Sequence, residues 1–209
     1  MPNWVFNKVY FYGDKSRIQK LKNFLATEDS VFDFNTIIPM PKELNLVSGS
    51  DEDFSIKCAK AYRDHGLITT SFYEESKWQK EKMSFMDWVA LGNKYLANKE
   101  KYGATTWYDW CIEHWGTKWN ACDATWEGDN FVCFNTAWGA PEPVYQRLSE
   151  LFPDIEFSVL FADEDLGNNC GTIDYSDGHF STVYEDSLEF ACDVWGYDYE
   201  EMREECAYD

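Results

Sequence analysis

Trp115-Gly116-Thr117-Lys118-Trp119-Asn120-Ala121 is the stretch from which the fold is worked out in both directions. Upstream, Trp107 to His114 reads as a short helix capped by Thr105 or Thr106. Downstream, the apolar pattern changes from helical to strand periodicity. Charge changes at the same place. Residues 1–116 carry 16 acidic and 15 basic side chains, and residues 117–209 carry 22 acidic and three basic ones, Lys118, Arg147 and Arg203.

Towards the N-terminus, residues 3–12 alternate as a strand with Trp4, Phe6, Tyr10 and Tyr12 on one face and Val5, Val9 and Phe11 on the other. Two apolar faces imply a central strand. A helix over about 15–26 follows, with Ile18, Leu21, Phe24 and Leu25 as its stripe and a solvated basic face. Residues 31–38 read as a second strand, stopped by Pro39-Met40-Pro41. Residues 42–114 form a helical insertion. There, Asp51 or Asp53 caps a helix bearing Phe54, Cys58, Ala61 and Tyr62, which Gly66 ends. Ser84-Phe85-Met86-Asp87 resembles a capping box ahead of Trp88, Leu91, Tyr95 and Leu96. No part of it reads as a linker, so residues 1–209 are treated as one domain.

Towards the C-terminus, strands at 118–125 and 130–138 flank the turn Glu127-Gly128-Asp129. Pro141-Glu142-Pro143 opens a helix carrying Val144, Leu148, Leu151 and Phe152. The next strand alternates Ile155, Phe157, Val159 and Phe161 inward with Glu156 and Ser158 outward. Residues 169–175 and 179–184 bracket the turn Ser176-Asp177-Gly178, and a last helix covers about 186–206. The order predicts an α+β, ferredoxin-like sandwich with an antiparallel sheet. Its additions are a helical insertion after the second strand, extra hairpins and a C-terminal helix.

Several stretches also carry a resemblance. Met1-Pro2-Asn3-Trp4, Phe32-Asp33-Phe34-Asn35 with Ile38-Pro39-Met40-Pro41, the Trp115–Ala121 stretch, and Thr136-Ala137-Trp138 with Pro141-Glu142-Pro143 stand in one order. That order is similar to the YubB-type ferredoxin-like family of plasmid and phage proteins. The resemblance spans most of residues 1–161 and implies this fold and a mobile-element origin. It implies no catalytic residues.

Composition narrows the function. Aromatic content of 18% and hydrophobic content of 44% place the acidity on a folded body. No apolar run approaches a membrane span, and Met1-Pro2-Asn3-Trp4 has no leader pattern. Seven cysteines without a Cys-x-x-Cys pair fit a reducing compartment, the cytoplasm of the host cell. A net charge of −20 disfavours direct binding to nucleic acid or an anionic membrane and favours a basic partner.

Chemistry is sparse. Cys111 and His114 stand at i, i+3 with Cys122 downstream, but a structural zinc needs four convergent ligands. No nucleophile elbow and no phosphate-binding glycine loop is present. Asp163-Glu164-Asp165 lacks the spacing of a calcium loop. These observations predict no enzyme, no cofactor and no metal.

Residues 154–209 hold 17 acidic side chains and one basic one, interleaved with aromatic and β-branched residues. Such a face costs stability through self-repulsion, and solubility does not require it. Its net of sixteen charges corresponds to about 27 Å of duplex, or about eight base pairs. The expectation is a binding protein that inhibits a host defence system, of the CRISPR or restriction type, by placing carboxylates where phosphates lie. Its partner is a basic, nucleic-acid-binding protein or effector complex. The predicted contact residues are Asp163, Glu164, Asp165, Asp174, Asp177, Glu185, Asp186, Glu189 and Asp193. One alternative is a phage or plasmid adaptor that binds through the aromatic insertion, with Lys77, Lys80, Lys82, Lys94, Lys99 and Lys101 exposed. Another is a solvated acidic domain without mimicry.

Overall fold

In a computed structural model, residues 2–66, 73, 75–185 and 187–206 are described. They divide into two compact units, Met1–Pro39 with Cys111–Asp209, and Met40–Trp110.

The first unit is built on a six-stranded antiparallel sheet ordered β2-β3-β1-β4-β5-β6. β1 is Trp4–Tyr12, β2 Cys122–Trp126, β3 Phe131–Ala137, β4 Glu156–Asp163, β5 Cys170–Ser176 and β6 His179–Tyr184. Its first four strands in space, β2-β3-β1-β4, have the ferredoxin-like arrangement, and the β5–β6 hairpin widens it. As the two apolar faces of residues 3–12 imply, β1 is central, paired with both β3 and β4. Register aligns Val132, Val9, Val159 and Ile173 in one fully buried row across four strands. The next row, Phe11, Phe157 and Tyr175, is aromatic, with the last two rings stacked at 4.9 Å.

Two helices cover this face. α1, Lys15–Leu25, buries Ile18, Leu21 and Leu25 and is capped by Asp14, whose carboxylate accepts from the Ser16 amide. The α7 helix, Glu142–Leu151, buries Val144, Tyr145 and Leu148, with Pro143 in its first turn. Tyr145 brings a hydroxyl into the core, where it donates to Asn7 Oδ1 at 2.9 Å; Asn7 Nδ2 donates in turn to Thr136 Oγ1 at 2.8 Å. Burial pushes the Tyr145 phenol well above its ordinary pKa.

On the opposite face lies α8, Leu188–Trp195. Ala191 and Val194 pack on Ala162 and Cys170, and Trp195 stacks on Phe6 at 5.1 Å. The expected helix over 186–206 is therefore two helices. Gly196, at φ +80°, ends α8, and α9 restarts at Tyr199 and runs to Cys206, with Asp198 accepting from the Glu201 amide.

The expected strand at 31–38 is corrected: Phe34–Ile37 is a one-turn helix, α2. Asp33 caps it by accepting from the Asn35 amide at 2.9 Å, and Phe34 and Ile37 enter the core together at helical spacing. The second strand of the fold is β2, so the helical segment enters between the first helix and the second strand. It does not follow the second strand.

The second unit contains α3, Ser50–His65, α4, Lys77–Lys82, and α5, Phe85–Tyr102. Gly49, in place of Asp51 or Asp53, is the N-cap of α3; both aspartates lie in its first turn. Ser84 caps α5 by accepting from the Asp87 amide at 3.2 Å. Phe54, Cys58, Trp88 and Val89 form the core between α3 and α5. At Gly92, an added Cβ would stand 2.0 Å from the Ser55 carbonyl oxygen, so the helices meet there backbone to backbone. The chain returns to the first unit within α6, Trp107–Trp115.

Candidate protein-docking surface

The Trp115–Ala121 stretch staples one end of the sheet. Trp115 donates its indole N–H to the Ile38 carbonyl at 2.9 Å, and Thr117 both donates to and accepts from the main chain of Ala137. The Asn120 side-chain oxygen accepts from the Phe34 and Ala121 amides at 2.8 and 2.9 Å, and its Nδ2 donates to Asp33 at 2.7 Å. Burial opposes ionisation of Asp33, but hydrogen bonds from Asn120, Asn35 and Thr27 outweigh it and hold the carboxyl below its ordinary pKa. Lys118 places its ammonium 4.5 Å from the Trp119 ring and 5.3 Å from the Trp138 ring. Trp4, Trp115 and Trp119 pack as structural residues, whereas Trp138 is 44% exposed at φ +71°.

The nine carboxylates predicted for docking fall into distinct settings. Asp163, the last residue of β4, is 6% exposed. Its carboxylate accepts from Asn3 Nδ2 at 3.1 Å, Asn169 Nδ2 at 3.0 Å and the Asp165 amide at 2.9 Å. Its carbonyl accepts from the Trp195 indole at 3.1 Å. Asp163 is thus a buried tie between the residue that precedes β1, the β4–β5 loop and α8, and it leaves the docking set. A carboxylate with three donors around it is satisfied inside the protein. Glu164 and Asp165, next in the chain, are exposed in the loop.

Glu185, Glu189 and Asp193 come together. With Tyr197 and Tyr199 they line one hollow of about 460 Å³ beside α8. Asp174 projects from β5 on the α8 side of the sheet, beside Ser158, whose hydroxyl donates to it. A second hollow of about 420 Å³ holds Asp174 together with Tyr12, Glu156, Ser176, His179 and Ser181. Glu156 was not among the predicted contacts, although its outward place in the alternation of β4 was visible. Asp177 stands apart at the opposite end of the sheet from Glu164. It sits with Gly178 in a two-residue turn with both φ values positive, the geometry that suits the twist of a hairpin. Asp186 lies outside the described residues.

Glu164, Asp165, Asp174, Asp177, Glu185, Glu189 and Asp193 are all exposed. Among the described residues, none of these seven forms an ion pair. Lys8 lies beside one of them and donates to the Asp193 main-chain carbonyl at 3.4 Å, not to its carboxylate. Arg17 pairs with Asp154, Arg147 with Glu150 and Arg203 with Glu200.

Burial pushes the Cys111 thiol up to about 12 and the Cys58 thiol up to about 11, so neither is a ready nucleophile at neutral pH. Among the described residues, no group of three or more His, Cys, Asp or Glu converges as metal ligands do. No helix among them is long and apolar enough to cross a membrane.

The first unit therefore has a ferredoxin-like α+β fold with a carboxylate-rich surface. Residues 114–209 match the family model described as the ferredoxin-like domain in Api92-like protein. The crystal structure of the protein Api92 from Yersinia pseudotuberculosis is similar over 88% of this chain and 98% of that chain, at 10% identity and a TM-score of 0.46. No curated protein matches the chain.

Proposed function

We propose that the chain is a binding protein of a phage or plasmid, which inhibits a host defence complex by laying carboxylates in a basic cleft that otherwise holds nucleic acid. The observation that carries this reading is the set of seven exposed carboxylates without an ion pair among the described residues, of which Asp174 is held on a strand, Asp177 in a tight turn and Glu189 and Asp193 on a capped helix. Pre-positioned charges lose little freedom on binding and steer encounter with a surface of opposite sign. The nucleic-acid-binding alternative for an open sheet face is disfavoured. Base-stacking sheets use exposed aromatics beside cations. Here Phe6 is covered by Trp195, Tyr10 stacks on Phe131, and Lys8, 5.9 Å from the Phe6 ring, donates to the Asp193 carbonyl, while the exposed Tyr12 shares its hollow with Asp174 and Glu156.

The test is capture of host proteins on the tagged full chain. The reading expects a nucleic-acid-binding complex, released both by about 0.5 M salt and by excess duplex DNA. A partner that ignores both would overturn it.

The adaptor alternative has Trp78 as its anchor, 56% exposed beneath the Lys82 ammonium. Trp88, Tyr95 and Trp110 are occupied in the core. Capture that persists in high salt and is lost in Trp78→Ala would favour it.

A further inference from the structure

β6 is the last strand of the sheet, and among the described residues no strand pairs with its far side. Phe180, Val183 and Tyr184 are 56%, 58% and 63% exposed. The Glu185 amide donates to the Cys170 carbonyl at 2.9 Å, which sets the phase of the ladder. In that phase His179, Ser181 and Val183 turn their main-chain groups to β5, while Phe180, Thr182 and Tyr184 turn theirs outward. The two edges of the sheet differ. β2 is five residues long, its register shifts between Cys122 and Thr125, and Asp123 sits at φ +54°, a bulge that blunts strand addition. β6 contains no bulge, proline or lysine.

We propose that β6 is a docking edge that takes an extended, basic segment of a partner protein as a seventh strand. Charge selects this occupant. Asp177 stands at one end of β6 and Glu185 at the other, and Asp174 lies opposite Ser181 on the neighbouring strand. A second copy paired edge to edge would set these carboxylates against themselves, and directly opposed like charges destabilise a sheet. An added strand alternates its side chains between the two faces. On the α1–α7 face it meets Phe180 and Tyr184; on the α8 face it meets Ser181 with Asp174 behind it. The segment that fits alternates aliphatic residues with Lys or Arg, and the main-chain ladder supplies the rest of the contact. The inference specifies a mode of contact and stands whether or not the partner's surface is a nucleic-acid cleft.

The experiment uses the full, isotope-labelled chain and two amidated seven-residue peptides, one alternating valine with lysine and one alternating valine with glutamate. The lysine peptide should slow amide exchange at Phe180, Thr182 and Tyr184 at least tenfold, and the glutamate peptide should not. Thr182→Pro removes an outward N–H without taking a bond from the β5 ladder, so it should lower affinity at least tenfold at unchanged thermal stability. If that variant does not fold, Ser181→Arg tests the same edge by setting a cation beside the incoming lysines, on the face of Asp174, with the same loss expected. Absence of protection at millimolar peptide, or equal affinity for both peptides, would overturn the proposal. So would a dimer of the chain that Thr182→Pro dissociates, which would make a second copy the occupant.

Discussion

Replacing Asp163 by alanine separates a structural carboxylate from a docking one. The change removes the acceptor from Asn3 Nδ2, Asn169 Nδ2 and the Asp165 amide, at 2.9–3.1 Å. A hydrogen bond to a charged group contributes about 1.5–3 kcal/mol. Three bonds on one carboxylate do not add, and Asn3 and Asn169 are exposed and turn to water when released. The expected loss is therefore that of one to two bonds, about 2–4 kcal/mol. At about 2–4 °C per kcal/mol for a chain of this length, the melting midpoint of the sheet falls by roughly 5–15 °C. Asp163→Asn keeps the shape and one acceptor oxygen but turns a second donor towards Asn169, so it should lose about 1–2 kcal/mol. Glu164→Ala, one residue along but exposed, should stay within about 0.5 kcal/mol of the parent. The assay is thermal unfolding of the three variants side by side, with amide exchange in β4 and β5 assigning the transition to the sheet. The reasoning is refuted if Asp163→Ala melts with the parent and instead weakens partner capture as much as Glu164→Lys does.

Asn120→Ala removes the staple between α2 and the Trp115–Ala121 stretch and should cost about 1–3 kcal/mol in urea unfolding. It also changes the acid limb of stability. Asp33 has a folded pKa below its unfolded value of about 3.9, so its contribution is complete above that pH and is lost as pH falls through the folded value. In Asn120→Ala the slope of unfolding free energy below about pH 4 should flatten, and an unchanged slope would remove Asn120 as the cause. Gly92→Ala drives a methyl group into the Ser55 carbonyl, so α3 and α5 must separate. An overpacking loss of about 3 kcal/mol, with faster amide exchange in both helices, is expected; parent-like exchange would contradict the close approach.

The sheet was legible because its signals are local. Alternation in residues 3–12 and 155–161 fixed which side chains face the helices, and Glu127-Gly128-Asp129 and Ser176-Asp177-Gly178 marked both hairpins. Residues 31–38 misled because five apolar residues in a short run fit either period. What decides between them is the acceptance of the Asn35 amide by Asp33 and a hydrogen bond from Asn120, distant in sequence. Gly196 carried a helix-stop signal that the longer apolar and acidic pattern of 186–206 overrode. The burial of Asp163 was not readable in its acidic neighbourhood, because one of its donors, Asn3, lies 160 residues away. The gathering of Glu185, Glu189 and Asp193 depends on how α8 docks over the sheet, which their spacing alone does not set.

Once a partner has been captured, the most direct test of the acidic-surface account is its association rate with the chain as a function of salt. Glu164→Lys, Asp165→Lys, Glu189→Lys and Asp193→Lys together should lower that rate at least tenfold at low salt and flatten its salt dependence, with the thermal midpoint kept. An unchanged rate and an unchanged salt slope in this fourfold variant would contradict the account and move the binding surface elsewhere on the protein.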